Sequence, residues 1–184
     1  RNIIEGRVIM GELWDIYDKN KNRTGKFAER GVYEFKKGEY YLVVVALIMN
    51  SKKEILITKR SETKKKEPLK WELTGGGVKA GESSLQGILR ETSEEIGMKF
   101  RPKEAIFLNE IRKDNAPANF KDLWLFKNES RIEDIKFEDG EVSDAKWVNI
   151  EEFLIMKENK EMISTIDFGK EEYNLALEKL SFLK

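Results

Sequence analysis

The chain has 184 residues with 34 basic and 34 acidic side chains, and it contains neither histidine nor cysteine. This length fits a single domain with a sizeable core, and the balanced charge gives no electrostatic reason to expect binding to nucleic acid or to an anionic membrane surface. Without thiols there can be no disulfides and no thiolate zinc site, and without imidazoles the commonest general base is absent. Acid–base chemistry and metal binding must therefore fall to carboxylates.

The first ten residues carry no functional signal. Ile4-Glu5-Gly6-Arg7 matches a protease recognition tetrapeptide common in expression vectors, and Met10 is the candidate start of the natural sequence. We expect residues 1–10 to be a cloning remnant or a disordered N-terminus, followed by a single domain over residues 11–184.

Two strands are predicted ahead of the middle of the chain. Tyr41–Met49 is an uninterrupted apolar run typical of a buried strand, and residues 54–60 form a second strand after a polar turn. The apolar run is too short to cross a bilayer, and no signal peptide is visible. We therefore expect a cytoplasmic protein that does not insert into a membrane.

Residues 76–98, GGVKAGESSLQGILRETSEEIGM, predict a helix with defined ends. Ser83 is a favourable N-cap and Gln86 stands three residues later, which makes a capping box. Gly97 falls where glycine commonly ends a helix. An inward apolar stripe at helical spacing is formed by Leu85, Ile88, Leu89, Thr92 and Ile96.

The same helix carries Glu91, Glu94 and Glu95 within five residues. The helical period predicts that they share about a third of the circumference, away from the apolar stripe. Like charges at this spacing repel, and a divalent metal held by their oxygens would offset the repulsion. The glycine-rich residues 74–77 are expected to form a loop whose backbone can approach a ligand closely.

The sequence of the second half of the chain indicates three further strands and two helices. The strands are expected at residues 105–111, 120–126 and 145–149, and a helix begins at residue 150. Apolar residues at helical spacing predict a closing amphipathic helix at about residues 170–183.

The spacing within residues 76–98 resembles the Nudix box, G-x5-E-x7-R-E-U-x-E-E-x-G-U, in which U is a bulky apolar residue. Every fixed position is matched, by Gly76, Glu82, Arg90, Glu91, Glu94, Glu95 and Gly97. Thr92 departs from the pattern by standing at the first U. The resemblance to Nudix hydrolases implies an α/β fold, the Nudix α/β/α sandwich with a mixed sheet. Residues 11–30 resemble the N-terminal hairpin of Nudix proteins related to isopentenyl-diphosphate isomerase.

The resemblance also implies a metal-dependent reaction. The cofactor is expected to be Mg²⁺ or Mn²⁺, and the implied ligands are the Gly76 carbonyl, Glu91, Glu94 and Glu95. Glu82 and Arg90 are expected to support them. The expected substrate is a small diphosphate, in which a nucleoside diphosphate is linked to another moiety, and the metal would offset charge as the diphosphate bond breaks.

Three further residues outside the box are candidates for the site. Family members often place a glutamate from the loop before the last strand at the metal or as the general base. Glu141 is our choice here, Glu138 is the reserve, and Glu91 is the other candidate base. Within the basic segment at residues 59–70, Arg60 is the candidate substrate-binding residue, because this segment could attract a polyphosphate.

Two other functions remain open on the sequence. A catalytically silent Nudix module could bind a nucleotide, although such modules usually lose box glutamates and all four are present here. A prenyl-diphosphate isomerase is disfavoured, because that enzyme is expected to need a cysteine and the chain has none. The identity of the substrate is not encoded in a readable motif, and a homodimer built by the N-terminal hairpin and the last helix is one assembly that the sequence allows.

Overall fold

The computed structural model describes residues 2–4, 7–9, 11–115, 117–137 and 140–181. The strands are β1 (Asn2–Ile4), β2 (Arg7–Ile9), β3 (Leu13–Tyr17), β4 (Arg23–Glu29), β5 (Tyr41–Met49), β6 (Ile55–Arg60), β7 (Trp71–Glu72), β8 (Gly75–Gly77), β9 (Ile106–Lys113), β10 (Asn119–Lys127) and β11 (Val142–Val148). The α-helices are α1 (Ser84–Ile96), α2 (Ile150–Glu158) and α3 (Lys170–Ser181). Each predicted strand and helix of the domain is present, with ends shifted by a few residues.

A mixed sheet forms the middle layer of the molecule. In the described residues it has seven strands, in the order β11-β6-β5-β10-β9, with β7 paired to β6 and β8 paired to β5. The neighbours β5 and β10 run parallel, and the other pairs are antiparallel. Because β5 is apolar on both sides, it can be covered from above and below.

Helices cover both faces of this sheet. On one face α1 contributes Ile88 to a core that includes Val44 and Phe126. On the other face Phe153 of α2 and Ala176 of α3 pack with a second core. The predicted α/β/α sandwich is confirmed, because alternate residues along β5 supply the two cores.

The N-terminal segment contains two separate antiparallel pairs. Asn2–Ile4 pairs with Arg7–Ile9, so the described part of residues 1–10 forms a short antiparallel ladder. The placement of residues 1–10 outside the domain stays a prediction. The predicted hairpin at residues 11–30 is β3 and β4, which pair with each other. Reciprocal backbone hydrogen bonds of 2.8 and 2.9 Å between Tyr17 and Tyr40 attach this hairpin to the strand region that leads into β5.

The hairpin also holds the segment that leads into α1. The Ala80 N–H donates to the Leu13 carbonyl at 2.7 Å, and the Gly81 N–H donates to the carboxylate of buried Asp15 at 2.9 Å. Arg23 donates to the carbonyl of Glu82. Residues 80–82 are therefore fixed by side chains and backbone from a distant part of the sequence.

Helix α1 begins and ends as the sequence predicts. The Ser83 side chain accepts from the Gln86 N–H while the Gln86 side chain accepts from the Ser83 N–H, and Gly97 adopts a left-handed φ of 67°. These local signals are sufficient because they depend on residues close in sequence.

The glycine-rich segment differs from the prediction. Gly75–Gly77 is not a loop but the strand β8, paired with Val43–Val45 of β5. A Cβ atom on Gly75 would lie 2.2 Å from the Val44 carbonyl oxygen, and one on Gly76 would lie 2.5 Å from Glu91 Oε1. The glycines thus allow a strand to fit between β5 and the acidic side of α1.

The helices of the described residues include none that combines the length and the apolar character needed to span a bilayer.

Candidate active site

An acidic cleft lies where α1 faces β8 and the N-terminal hairpin. Its volume is about 160 Å³. The lining residues are Glu12, Arg30, Arg90, Glu91, Glu94, Glu95 and Glu141. The structure therefore brings the box glutamates of α1 together with Glu141, which lies about fifty residues further along the chain, and with two residues of the hairpin.

Arg90 is the centre of a network of charged hydrogen bonds. Its guanidinium donates to both oxygens of Glu82, at 2.9 and 3.0 Å, and to Glu91 and Glu94 at 2.7 and 3.0 Å. It also donates to the Gly77 carbonyl at 3.0 Å. Burial opposes the charge of Arg90, but the hydrogen bonds to Glu82 and Glu91 outweigh it and hold the pKa of Arg90 above its usual value. Of the two predicted supporting residues, Arg90 thus contacts Glu91 and Glu94 directly, and Glu82 contacts Arg90.

The three clustered glutamates have different surroundings. Glu94 is exposed, but Glu91 is only 8% exposed and faces β8. Glu95 also turns inward and accepts from the Gly75 N–H at 3.2 Å. The sequence predicts only that the three glutamates lie away from the apolar stripe; the structure adds that Glu91 and Glu95 are enclosed against β8 whereas Glu94 is exposed. The side-chain-free strand β8 leaves room for carboxylates beside the apolar stripe.

The pKa of Glu95 is raised to about 8, first because its carboxyl group is removed from water and then because Glu72 and Glu91 add negative charge nearby. Burial is also the main reason that the pKa of Glu91 is raised. The ionised form of such a carboxyl group is unfavourable unless a cation is bound, and this is the electrostatic behaviour expected of a metal ligand.

Glu72 of β7 is a member of the acidic cluster that the sequence did not single out. Burial raises its pKa, although Arg60 Nη1 lies 2.9 and 3.0 Å from its two oxygens. Arg60 also donates to the carbonyls of Lys66 and Glu67. Arg60 is therefore a partner of Glu72 and of the loop after β6, and its role as a substrate-binding residue stays a prediction.

Glu141 forms an ion pair with Lys64 at the edge of the cleft. Burial lowers the pKa of Lys64, and the charge of Glu95 acts in the opposite direction. The segment at residues 61–70 thus sends one of its lysines toward the glutamates. The reserve candidate, Glu138, lies outside the described residues.

The carboxylate oxygens suit a hard divalent cation such as Mg²⁺ or Mn²⁺. Burial raises the pKa of Glu95, and the negative charges of Glu72 and Glu91 raise it further; a bound cation would offset both effects. In the part of the chain that the structure describes, no three acidic side chains converge into a finished metal cage. The reason is that Arg90 draws Glu91 and Glu94 toward itself, so both side chains would turn from Arg90 to bind an ion.

The pairing register of β8 with β5 determines which glycine carbonyl is free to coordinate such an ion. The Ala46 N–H donates to the Thr74 carbonyl, and the Val78 N–H donates to the Leu42 carbonyl. In an antiparallel ladder, pairs of opposed residues that are hydrogen-bonded to each other alternate with pairs that are not. Gly76 therefore forms a bonded pair with Val44, and its carbonyl is directed into the sheet. The backbone of Gly75 faces away from β5, as its N–H bond to Glu95 shows. We replace Gly76 with Gly75 as the candidate carbonyl ligand.

Comparison with known proteins places this architecture in a family. A family model described as the NUDIX domain matches residues 39–167, more than half of the chain. An uncharacterised Nudix hydrolase of Listeria monocytogenes is 32% identical over 158 residues, covering 83% of this chain and 88% of that protein. The chain belongs to the Nudix family.

Solved structures agree in fold. The crystal structure of a Deinococcus radiodurans protein matches with a TM-score of 0.66 at 19% identity, covering 80% of this chain and 90% of that one. A MutT protein of Methanosarcina mazei matches with a TM-score of 0.55 at 25% identity, covering 77% and 95%. The family model and the Listeria relative identify the chain as a Nudix-type pyrophosphohydrolase, an enzyme that hydrolyses phosphoric acid anhydrides.

Sequence reasoning missed Glu12 and Arg30 as parts of the cleft, and Glu72 as a negative charge near Glu95. Glu72 has a weak signal, because it is an acidic residue inside the short apolar run at residues 71–73. Glu12 and Arg30 flank the hairpin and have no local signal, since only the packing of β3 and β4 brings them to α1. Glu12 accepts from the Trp14 indole at 2.7 Å and lies 3.6 Å from Arg30.

The elevated pKa of Glu95 predicts how stability depends on pH. Between the ordinary value of 4.5 and the raised value of about 8, folded protein keeps a proton that the unfolded chain has lost. The free energy of unfolding of the metal-free protein should therefore contain a component that falls as pH rises through this window, by at most about 1.4 kcal/mol per pH unit. Glu95→Gln should remove that component and be more stable than the parent by about 1–3 kcal/mol at pH 8.5.

Urea unfolding in EDTA at pH 5.5, 7 and 8.5 measures this difference. Glu94→Gln is the matched control, because the Glu94 side chain is 46% exposed on the same helix. Parallel pH curves for Glu95→Gln and the parent would show that Glu95 is not held in its neutral form.

Proposed function

We propose that the chain is a metal-dependent hydrolase that cleaves the diphosphate bond of a nucleoside diphosphate linked to another moiety. One observation carries this proposal. Glu95 is enclosed against β8 near Glu72 and Glu91, and burial first and the charges of these two residues second raise its pKa to about 8. Such crowding disfavours the folded protein on its own and favours binding of a divalent cation, which is the partner that diphosphate hydrolysis needs.

Glu91, Glu94 and Glu95 are the carboxylates proposed to hold Mg²⁺ or Mn²⁺, together with the Gly75 carbonyl. When bound, such a metal would offset the charge of the diphosphate and acidify a water molecule. Arg90 determines where Glu91 and Glu94 lie, because it bonds both of them at 3.0 Å or less. Glu82 in turn fixes Arg90 through both of its oxygens.

Two residues are candidates to take the proton from the attacking water. Glu91 lies within the cluster and its raised pKa favours accepting a proton. Glu141 reaches the cleft from the opposite wall, and its ion pair with Lys64 fixes its position. In either case the water would attack phosphorus in line with the leaving phosphate.

The substrate is proposed to enter past cationic side chains at the rim of the cleft. Arg30 lines the cleft with a side chain that is 59% exposed, and Lys79 lies 3.6 Å from Glu94. These charges would attract a polyphosphate toward an acidic centre that would otherwise repel it. The homodimer suggested by the sequence stays a prediction.

A hydrolysis screen tests the proposal. Dinucleoside polyphosphates, ADP-ribose, oxidised nucleotides and nucleotide sugars should be offered with Mg²⁺ and with Mn²⁺, and phosphate should be measured after coupling to a phosphatase. At least one class should be turned over in the presence of metal and none in EDTA. Turnover that persists in EDTA, or a complete lack of turnover, would contradict it, and the latter result would favour the silent nucleotide-binding module.

A prenyl diphosphate should be included in the same screen. The chain has no cysteine to serve the isomerase reaction, so no double-bond migration is expected. Isomerised product would overturn the hydrolase assignment in favour of the isomerase.

A further inference from the structure

A second cavity lies outside the acidic cleft, where three loops meet. Its volume is about 560 Å³, within the range of small-molecule sites. Lys19 comes from the turn between β3 and β4, residues 35–38 from the connection before β5, and Arg112 from the end of β9. Loops carried on a rigid sheet are common positions for binding residues.

The charge of this cavity is strongly positive. Its cations are Lys19, Lys36, Lys37 and Arg112, and Asp114 is its carboxylate. Asp18 and Glu39 lie near enough to interact electrostatically with Lys19 and Lys36, but among the described residues neither forms an ion pair of 4.0 Å or less with them. In a chain whose basic and acidic side chains are equal in number, this excess is local, and it favours an anion with several oxygens.

Arg112 is held in a fixed orientation beside an aromatic floor. It donates to Asp114 at 2.7 Å, to the Lys19 carbonyl at 3.1 Å and to the Tyr40 hydroxyl at 2.8 Å. Its guanidinium lies 5.0 Å from the centre of the Tyr40 ring, which is buried and packs on Phe120. The half-buried ring of Phe35 lines the same cavity. The cavity thus combines a flat apolar surface with a cationic rim.

A row of aromatic rings stands between this cavity and the acidic cleft. Phe35 contacts Tyr41 at 5.2 Å, and Tyr41 stacks on Trp14 at 4.8 Å with an interplanar angle of 9°. Trp14 donates to Glu12, which lines the acidic cleft. A ligand in the basic cavity would therefore lie on the far side of this row from the glutamates.

From this geometry we infer that the basic cavity is a separate binding site for a nucleoside phosphate. The phosphate lies among Lys19, Lys36 and Lys37, and the base lies against Phe35. Because Glu91, Glu94 and Glu95 are not part of this site, its binding needs no divalent metal. The inference does not depend on hydrolysis by the acidic cleft.

Calorimetric titration of the full chain in EDTA tests the site, with AMP and inorganic phosphate as probes. AMP has no anhydride bond, so it cannot be consumed as a substrate of the proposed hydrolase. AMP should bind more tightly than phosphate, and its affinity should fall as salt is raised. Lys36→Ala combined with Lys37→Ala should weaken AMP about tenfold or more, through loss of two charged contacts. Phe35→Ala should weaken AMP and leave phosphate unchanged.

Two matched variants complete the experiment. Lys52→Ala combined with Lys103→Ala removes the same charge from exposed positions elsewhere and should leave AMP binding unchanged. Glu91→Gln combined with Glu95→Gln alters the acidic cleft and should also leave it unchanged. The inference is overturned if AMP does not bind in EDTA, if the Lys36 and Lys37 variant binds it as tightly as the parent, or if the glutamate variant has an equal or larger effect.

Discussion

Glu95→Gln is expected to reduce kcat/KM for metal-dependent diphosphate hydrolysis by about 10²- to 10⁴-fold, the range seen when one catalytic group is lost. Glutamine preserves the shape of the side chain but removes the charge that would hold the cation. The same substitution is predicted to stabilise the metal-free protein at pH 8.5, because the burial that raises the pKa of Glu95 no longer acts on a carboxylate. Loss of activity with gain of stability distinguishes a ligand from a residue that only supports the fold.

The measurement is initial-rate kinetics on the best substrate from the hydrolysis screen, with Mg²⁺ varied. Glu104→Gln is a suitable control, because Glu104 lies on a short 3-10 turn and pairs with Arg101 away from the cleft. Full activity of Glu95→Gln on a substrate that the parent hydrolyses would refute the assignment of Glu95 as a metal ligand.

Arg90→Met is expected to lower the free energy of unfolding of the metal-free protein by about 2–3 kcal/mol. The substitution leaves Glu82, Glu91 and Glu94 without the cation that they share, and it leaves the Gly77 carbonyl without its donor. Chemical denaturation with and without Mg²⁺ measures the loss. In the variant, Glu91 and Glu94 are no longer bonded to Arg90 and are free to bind a cation. Added Mg²⁺ should therefore stabilise Arg90→Met more than it stabilises the parent.

A double-mutant cycle with Glu82→Gln separates this network from simple loss of packing. If Arg90 and Glu82 act as a pair, the double variant should be less destabilised than the sum of the single variants. Additive losses, together with no extra gain from Mg²⁺, would show that Arg90 contributes only the packing of its aliphatic part.

Helix α1 could be predicted closely because its signals are local. Ser83, Gln86 and Gly97 act on backbone groups within five residues of themselves, and the structure places all three as expected. Thr92 shows how a departure from the family pattern is tolerated. It is fully buried, and its hydroxyl donates to the Leu89 carbonyl at 3.2 Å, so the Thr92 hydroxyl itself is not left unsatisfied.

Other parts of the site depend on contacts between distant residues. The glycine-rich segment was expected to be a loop, and its pairing with β5 requires α1 to leave room for a strand without side chains. The partner of Arg60 was also not predictable, since Glu72 reaches it only through the pairing of β6 with β7. Sequence periodicity reports which side of an element is apolar, but it does not report which polar side chains meet across the fold.

The attachment of the hairpin to residues 80–82 bears on where this domain begins. The family match starts at residue 39, yet Leu13, Asp15 and Arg23 bond the backbone that leads into α1. Glu12 and Arg30 from the same hairpin also line the cleft. A boundary drawn where the family match starts would therefore separate the hairpin from the segment and the helix that it contacts. Relatives that differ before residue 39 can thus differ in how α1 is anchored even when their box residues are identical.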